Sequence, residues 1–153
     1  MKFIVEEPEV FYDFTPFYSK NGQSFFYQPD APSVFSIIIG NGYISLDVSL
    51  ISSTFYCISG YSPQSAWIKF DLNLPKAIRK NIKVISDCEL HPGTGIDYGT
   101  DWKTFYNVDN DVICIGVPQL SEKAVNIEFN TNTIASIIGS DLVAIWIKPD
   151  IVN

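Results

Sequence analysis

The stretch Val34-Phe-Ser-Ile-Ile-Ile-Gly-Asn-Gly-Tyr-Ile-Ser-Leu-Asp-Val-Ser-Leu50 decides the fold class. Gly40-Asn41-Gly42 separates two β-prone runs, and Asn-Gly accepts the positive φ angles that a tight hairpin demands. In the second run Ile44, Leu46, Val48 and Leu50 alternate with Tyr43, Ser45, Asp47 and Ser49. A polarity period of two predicts a strand with one dry and one wet face, and so an antiparallel sheet solvated on one side.

Outward from this hairpin the same rhythm continues. Ser52-Ser53 turns the chain into Thr54 to Ser59, completing a predicted three-stranded meander. Trp67 to Leu72 alternates with Ile68, Phe70 and Leu72 on one face, and Ala124 to Phe129 does so with Val125, Ile127 and Phe129 inward. Asp109-Asn110-Asp111 separates Trp102–Val108 from Val112–Val117 as a second hairpin, and Leu142 to Ile147 reads as a buried strand stopped by Pro149. Two segments break the pattern. Ile78, Ile82 and Ile85 recur at i, i+4, i+7 after Pro75, which predicts a short amphipathic helix, although Ile82 to Ser86 could begin a strand. Thr133 to Ile138 is read as one helical turn. The expectation is one mainly β domain over residues 1–153, an antiparallel β-sandwich or strongly curved sheet with one or two short helices.

The composition agrees, with eleven Phe, eight Tyr and three Trp among 153 residues. Aromatic and β-branched side chains suit a pleated, half-buried surface. The early aromatics Phe11, Tyr12, Phe14, Phe17, Tyr18, Phe25, Phe26 and Tyr27 predict an edge hairpin packed on the core, or alternatively a stacking platform. The sequence starts without the apolar core of a secretory signal, and no apolar run reaches the roughly 18–20 residues of a membrane span. A cytoplasmic protein that avoids membranes is expected. Three widely spaced cysteines, Cys57, Cys88 and Cys114, fit reduced thiols in such a compartment, with one disulfide plus a free thiol as the alternative.

Signals for chemistry are sparse. His91, the sole histidine, has Asp87, Glu89, Asp97 and Cys88 near it in sequence. Yet no Gly-x-Ser-x-Gly elbow occurs, and no helix start or cluster of cations activates the thiol. Cys88-x-x-His91 has the spacing of a metal pair but no second pair to complete a zinc site. Asp97/Asp101 and Asp109/Asp111 offer oxygen ligands outside any calcium-loop pattern. His91-Pro-Gly-Thr-Gly lacks the lysine of a phosphate loop. We expect no catalytic residue, no metal and no cofactor.

Charge is more informative. The formal net charge is −7, which opposes nucleic acid as a partner and favours a basic protein. Residues 87–111 hold Asp87, Glu89, Asp97, Asp101, Asp109 and Asp111 against Lys103 alone, interleaved with Tyr98, Trp102, Phe105 and Tyr106. Carboxylates that steer, with aromatics that anchor, make an interface for a cationic macromolecule. The expected partner-binding set is Asp87, Glu89, Asp97, Tyr98, Asp101, Trp102, Tyr106, Asp109 and Asp111, on a monomer or weak homodimer. Lys76, Arg79, Lys80 and Lys83 form an opposite patch, read as the solvated face of the predicted helix.

In size and acidity the chain resembles bacterial immunity proteins, which neutralise a cognate toxin, often a basic nuclease, by covering its active site. The resemblance implies a non-enzymatic protein acting by steering and occlusion. The alternatives are a carbohydrate- or small-ligand-binding β-sandwich using Trp67, Trp102 or the early aromatics, and an enzyme built on His91.

Overall fold

A computed structural model of the chain describes residues 1–8, 12–30 and 33–153, so Phe11 of the early aromatics lies outside the described residues. The strands are β1 (Lys2–Glu6), β2 (Phe17–Ser19), β3 (Ser24–Phe26), β4 (Val34–Ile39), β5 (Ile44–Ser49), β6 (Thr54–Tyr61), β7 (Ile68–Lys69) and β8 (Ile78–Arg79). They continue as β9 (Asn81–Ile85), β10 (Gly95–Gly99), β11 (Thr104–Asn107), β12 (Val112–Gly116), β13 (Val125–Asn130), β14 (Thr133–Ile138), β15 (Asp141–Ile147) and β16 (Asp150–Val152). One sheet runs β10-β4-β5-β6-β3-β2-β16, with β9 and β1 branching from β6; the other runs β7-β11-β12-β15-β14-β13-β8. The two pack face to face around a shared apolar core, so the fold is sandwich-like.

The opening hairpin forms as β4–β5, with Ile39 level with Ile44. Its turn is the four residues Gly40–Tyr43, and Gly40, Asn41 and Gly42 all have positive φ (49°, 60° and 80°). Three successive left-handed positions explain why the turn is built from Gly-Asn-Gly. Strand β6 completes the meander antiparallel to β5, with a bulge between Asp47 and Val48.

Antiparallel pairing dominates, but both sheets are mixed. At the ends of the two strand orders, β10 pairs β4, β16 pairs β2, β7 pairs β11 and β8 pairs β13, all in parallel. These are returns from distant segments, which local hairpin signals do not reveal. The first sheet is also strongly curved. Phe3 on β1 meets Tyr98 on β10 at 5.3 Å between ring centroids, although β4, β5, β6 and β9 lie between their strands.

Both predicted helices are strands, and the strand alternative around Ile82 to Ser86 is met by β9. Residues 78–85 leave one sheet and enter the other, because β8 belongs with β13 while β9 pairs with β1 and β6. Ile82 is buried, while Ile78 and Ile85 are exposed, so the three isoleucines share no face. Arg79 and Lys80 pair with Asp13, Glu128 and Glu7 instead of lining a solvated helix. Thr133–Ile138 is the interior strand β14, flanked by β13 and β15. The only helical element besides the Gly40–Tyr43 turn among the described residues is a 3-10 turn, Gln64–Ala66. The early aromatics do form a hairpin, β2–β3, but β16 lies outside it.

The expected wet face of β5 is covered, and Asp47 is only 4% exposed. Its carboxyl group accepts hydrogen bonds from Tyr27 Oη (2.8 Å), Ser59 Oγ (3.0 Å), Ser36 Oγ (3.3 Å) and Ser45 Oγ. Tyr12, Phe14, Tyr27 and Tyr56 pack ring on ring over this cluster, with centroids 4.7 to 5.9 Å apart. A buried acid is tolerable because every lone pair direction finds a donor. The outer face of the second sheet is covered as well: Leu72, with Phe70 and Leu74, packs on Val112, Cys114, Ile134, Ala144 and Trp146. Tyr27→Phe removes one hydroxyl from a buried carboxyl group and is expected to lower unfolding free energy by about 1.5–3 kcal/mol. Urea unfolding measures it, and a change under about 0.5 kcal/mol would show that the cap does not depend on Asp47.

Candidate functional site

The acidic segment begins where β9 ends. Residues 86–94 turn back along β4, with Gly93 N donating to Val34 O (3.0 Å) and Ser36 N donating to Thr94 O (2.9 Å). A turn closed by Thr94 Oγ1 on His91 O (2.7 Å) then feeds β10, which extends the first sheet as a parallel edge strand. Asp87, Glu89, His91 and Asp97 are all exposed along this border. The His91 ring stands 3.9 Å from a Glu89 oxygen, and among the described residues no hydroxyl or thiol bonds to it.

Tyr98 and Trp102 are brought together at 5.8 Å, edge to face. The indole lies across Gly99, where a Cβ would come within 2.3 Å of the ring, so only glycine fits beneath it. Tyr98 Oη donates to Leu142 O (3.3 Å) and accepts from Leu142 N (3.2 Å), and burial pushes its phenol above the ordinary value of 10.0. Both rings are half-buried against the inter-sheet core. Their first role is to pin β10 down, with only a margin left to touch a partner. Asp101 sits exposed in the turn between β10 and β11, where the chain changes sheets.

Asp109 and Asp111 lie at the tip of the β11–β12 hairpin, on the other sheet. Asp111 has φ +60° and accepts a hydrogen bond from Tyr106 Oη (3.0 Å), so it is a turn residue held by its neighbour. Asp109 is exposed. The tip is braced by Asn107 and Asn110, whose side-chain amides both donate to Leu72 O at 2.8 Å. A shallow groove of about 460 Å³ runs beside it, lined by Lys69, Phe70, Asp71 and residues 106–109. The nine expected contact residues therefore divide between the β10 border and this hairpin tip, with Asp101 on the connection.

The residues weighed for other chemistry are placed differently. Cys57 and Cys114 are buried and Cys88 is exposed; all three are free thiols. Burial pushes the Cys57 thiol up to about 12 and raises that of Cys114 too, opposite to what a nucleophile needs. No three His, Cys, Asp or Glu side chains gather to hold a metal ion among the described residues. Trp67 is half-buried between the sheets: its Nε1 donates to Ser62 Oγ (2.9 Å), and Tyr18 and Tyr106 pack on its ring at 4.8 and 5.1 Å. No helix among the described residues is long and apolar enough to cross a membrane.

Sequence reading missed two features. The Asp47 cluster looked like a solvated strand face, since its cover comes from residues 12–27 and was invisible locally. Gly95-Ile-Asp-Tyr-Gly99 looked like loop because of its glycines, although Ile96 and Tyr98 alternate with Gly95, Asp97 and Gly99 in strand fashion. No protein-family model and no curated protein sequence matches the chain.

Alkylation of the native protein is expected to label Cys88 alone, and all three thiols after denaturation; mass spectrometry counts them. A raised folded pKa at Cys57 means that unfolding releases its proton more easily. The stability it contributes is full below pH 9.0 and is lost as pH climbs toward about 12. Cys57→Ser or Cys57→Ala should flatten that alkaline limb in urea titrations across this window.

Proposed function

We propose that this chain is a non-enzymatic interaction protein that docks a basic protein through residues 87–111. We further propose that it acts as an immunity protein, occluding a cognate cationic bacterial toxin. One observation carries this reading. Asp87, Glu89, Asp97, Asp101 and Asp109 are exposed, and among the described residues their one ion pair is Glu89 with His91. Carboxylates left without cations on a chain of net charge −7 raise the encounter rate with a cationic surface. Occlusion needs a rigid base, which the pinned Tyr98 and Trp102 supply. The exposed His91 ring and the buried, suppressed Cys57 and Cys114 thiols support the non-enzymatic side of the reading.

The test is the association rate with a basic protein captured on the immobilised chain. Asp97→Asn, Asp101→Asn and Asp109→Asn together should slow association about tenfold at low ionic strength, with the difference shrinking near 0.5 M salt, as ~10 Å screening lengths contract. Asp111 is left intact because it holds the turn. Equal rates for variant and parent would remove this surface from the interface.

A second reading, binding of a saccharide or small ligand, is favoured by a different observation. Tyr43 and Tyr61 are 65% and 49% exposed, with ring centroids 6.2 Å apart. Tyr61 lies two residues beyond Ser59 on β6 and so shares its face, giving aromatic rings beside hydroxyls. Saturable quenching of intrinsic fluorescence by a saccharide, lost in Tyr43→Ala with Tyr61→Ala, would replace the first reading with this one.

A further inference from the structure

An edge strand offers its unpaired N–H and C=O groups to any chain that can lie alongside. Among the described residues the free edges differ in what they offer. β7 and β8 have two residues each and β16 three. β1 has five, but Phe3 N on its outer side already donates to Ser140 O (3.0 Å). β10 has five residues, ends its sheet, and is exposed over Gly95, Ile96 and Asp97.

The polarity of that edge can be read from its pairing. Thr94 O accepts from Ser36 N, so Thr94 and, two residues on, Ile96 direct their backbone groups at β4. Gly95 and Asp97 therefore direct theirs outward. Side chains sort by register. Ile96 lies level with Ile37, a fully buried core residue, yet is itself 41% exposed at the rim of the core. Asp97 lies level with Ile38 and Gly95 with Ser36, on the opposite face. A second copy of the chain is a poor occupant, since it would bring a second Asp97 close to the first between molecules of charge −7.

We propose that β10 receives one extended segment of a basic protein by strand addition, and that this segment alternates basic with apolar side chains. The proposal rests on the acidic docking reading and names the backbone that docks. A basic residue level with Asp97 meets its carboxylate, with Asp87 and Glu89 on one side along the chain and Asp101 on the other. An apolar residue level with Ile96 covers the open rim of the core. Main-chain hydrogen bonds to Gly95 and Asp97 fix the register, and the alternation supplies selectivity.

The probes are two peptides of identical composition, one alternating Lys and Val and one with all its Lys in a single block. The alternating peptide should slow amide exchange at Gly95 and Asp97 about tenfold, and the blocked peptide should not. Asp97→Asn keeps the N–H and should weaken the alternating peptide about two- to fivefold, protection retained at saturation. Asp97→Pro removes an outward N–H at an edge position where proline is tolerated, and should abolish selectivity between the peptides. Equal binding of both peptides without protection at β10, or protection at another edge, overturns strand addition while the acidic surface stands. If neither peptide binds at low salt, the docking reading is overturned as well.

Discussion

The arrangement depends on a row of four rings, Tyr98–Phe3–Phe55–Phe129, running through the core. Successive centroids are 5.3, 5.5 and 5.3 Å apart, each pair edge to face. Such contacts are worth about 0.5–1.5 kcal/mol each beyond the area they bury. The row starts on the border strand β10, crosses to β1 as the first sheet folds over, continues through β6, and ends on β13 of the second sheet. It therefore fixes the curvature and the sheet-to-sheet contact together. It also explains how β10 can be rigid while its outer backbone is open: the strand is held from inside, by Tyr98, and needs no neighbour beyond it.

The second constraint is that both sheets are covered on both faces. In each, one face meets the other sheet and the opposite face meets irregular chain, Tyr12 and Phe14 with Tyr27 in one case and residues 70–74 in the other. Several polar groups caught under these covers are engaged. Asp47 collects four hydroxyls, and Trp146 Nε1 donates to Ser136 Oγ, which donates to Asn126. Asn130 accepts from Phe14 N and donates to Tyr56 O, tying the N-terminal cover to both sheets. Leaving any of these donors or acceptors unpaired would cost about 1–3 kcal/mol, so the network specifies where the covering segments lie.

What the sequence reveals follows from this layering. Strands with local partners were legible: β4, β5 and β6 through Gly-Asn-Gly and alternation, and β11–β12 through Asp-Asn-Asp. β14 was not, because Thr133 to Ile137 are buried on both sides and no alternation survives to distinguish strand from helix. Residues 75–85 misled because three isoleucines at helical spacing serve two different sheets. Asp47 misleads because polarity suggests exposure, whereas the hydroxyls that satisfy it sit on β4, β5, β6 and Tyr27. The acidic character of 87–111 is plain in the sequence, but the sheet border formed by β10, a strand inside a glycine-rich stretch, depends on β4, more than fifty residues earlier.

The parallel pairing of β16 with β2 places Asp150 beside Phe17. During vectorial synthesis the β2–β3 hairpin is complete long before residues 150–152 exist, and its outer backbone stays bare throughout. The nascent chain thus carries an aromatic-rich hairpin with an open border, the kind of surface on which unfinished chains adhere to one another or to chaperones. A chain cut just before Asp150 would hold every strand of its second sheet and leave β2 of the first without its outer partner.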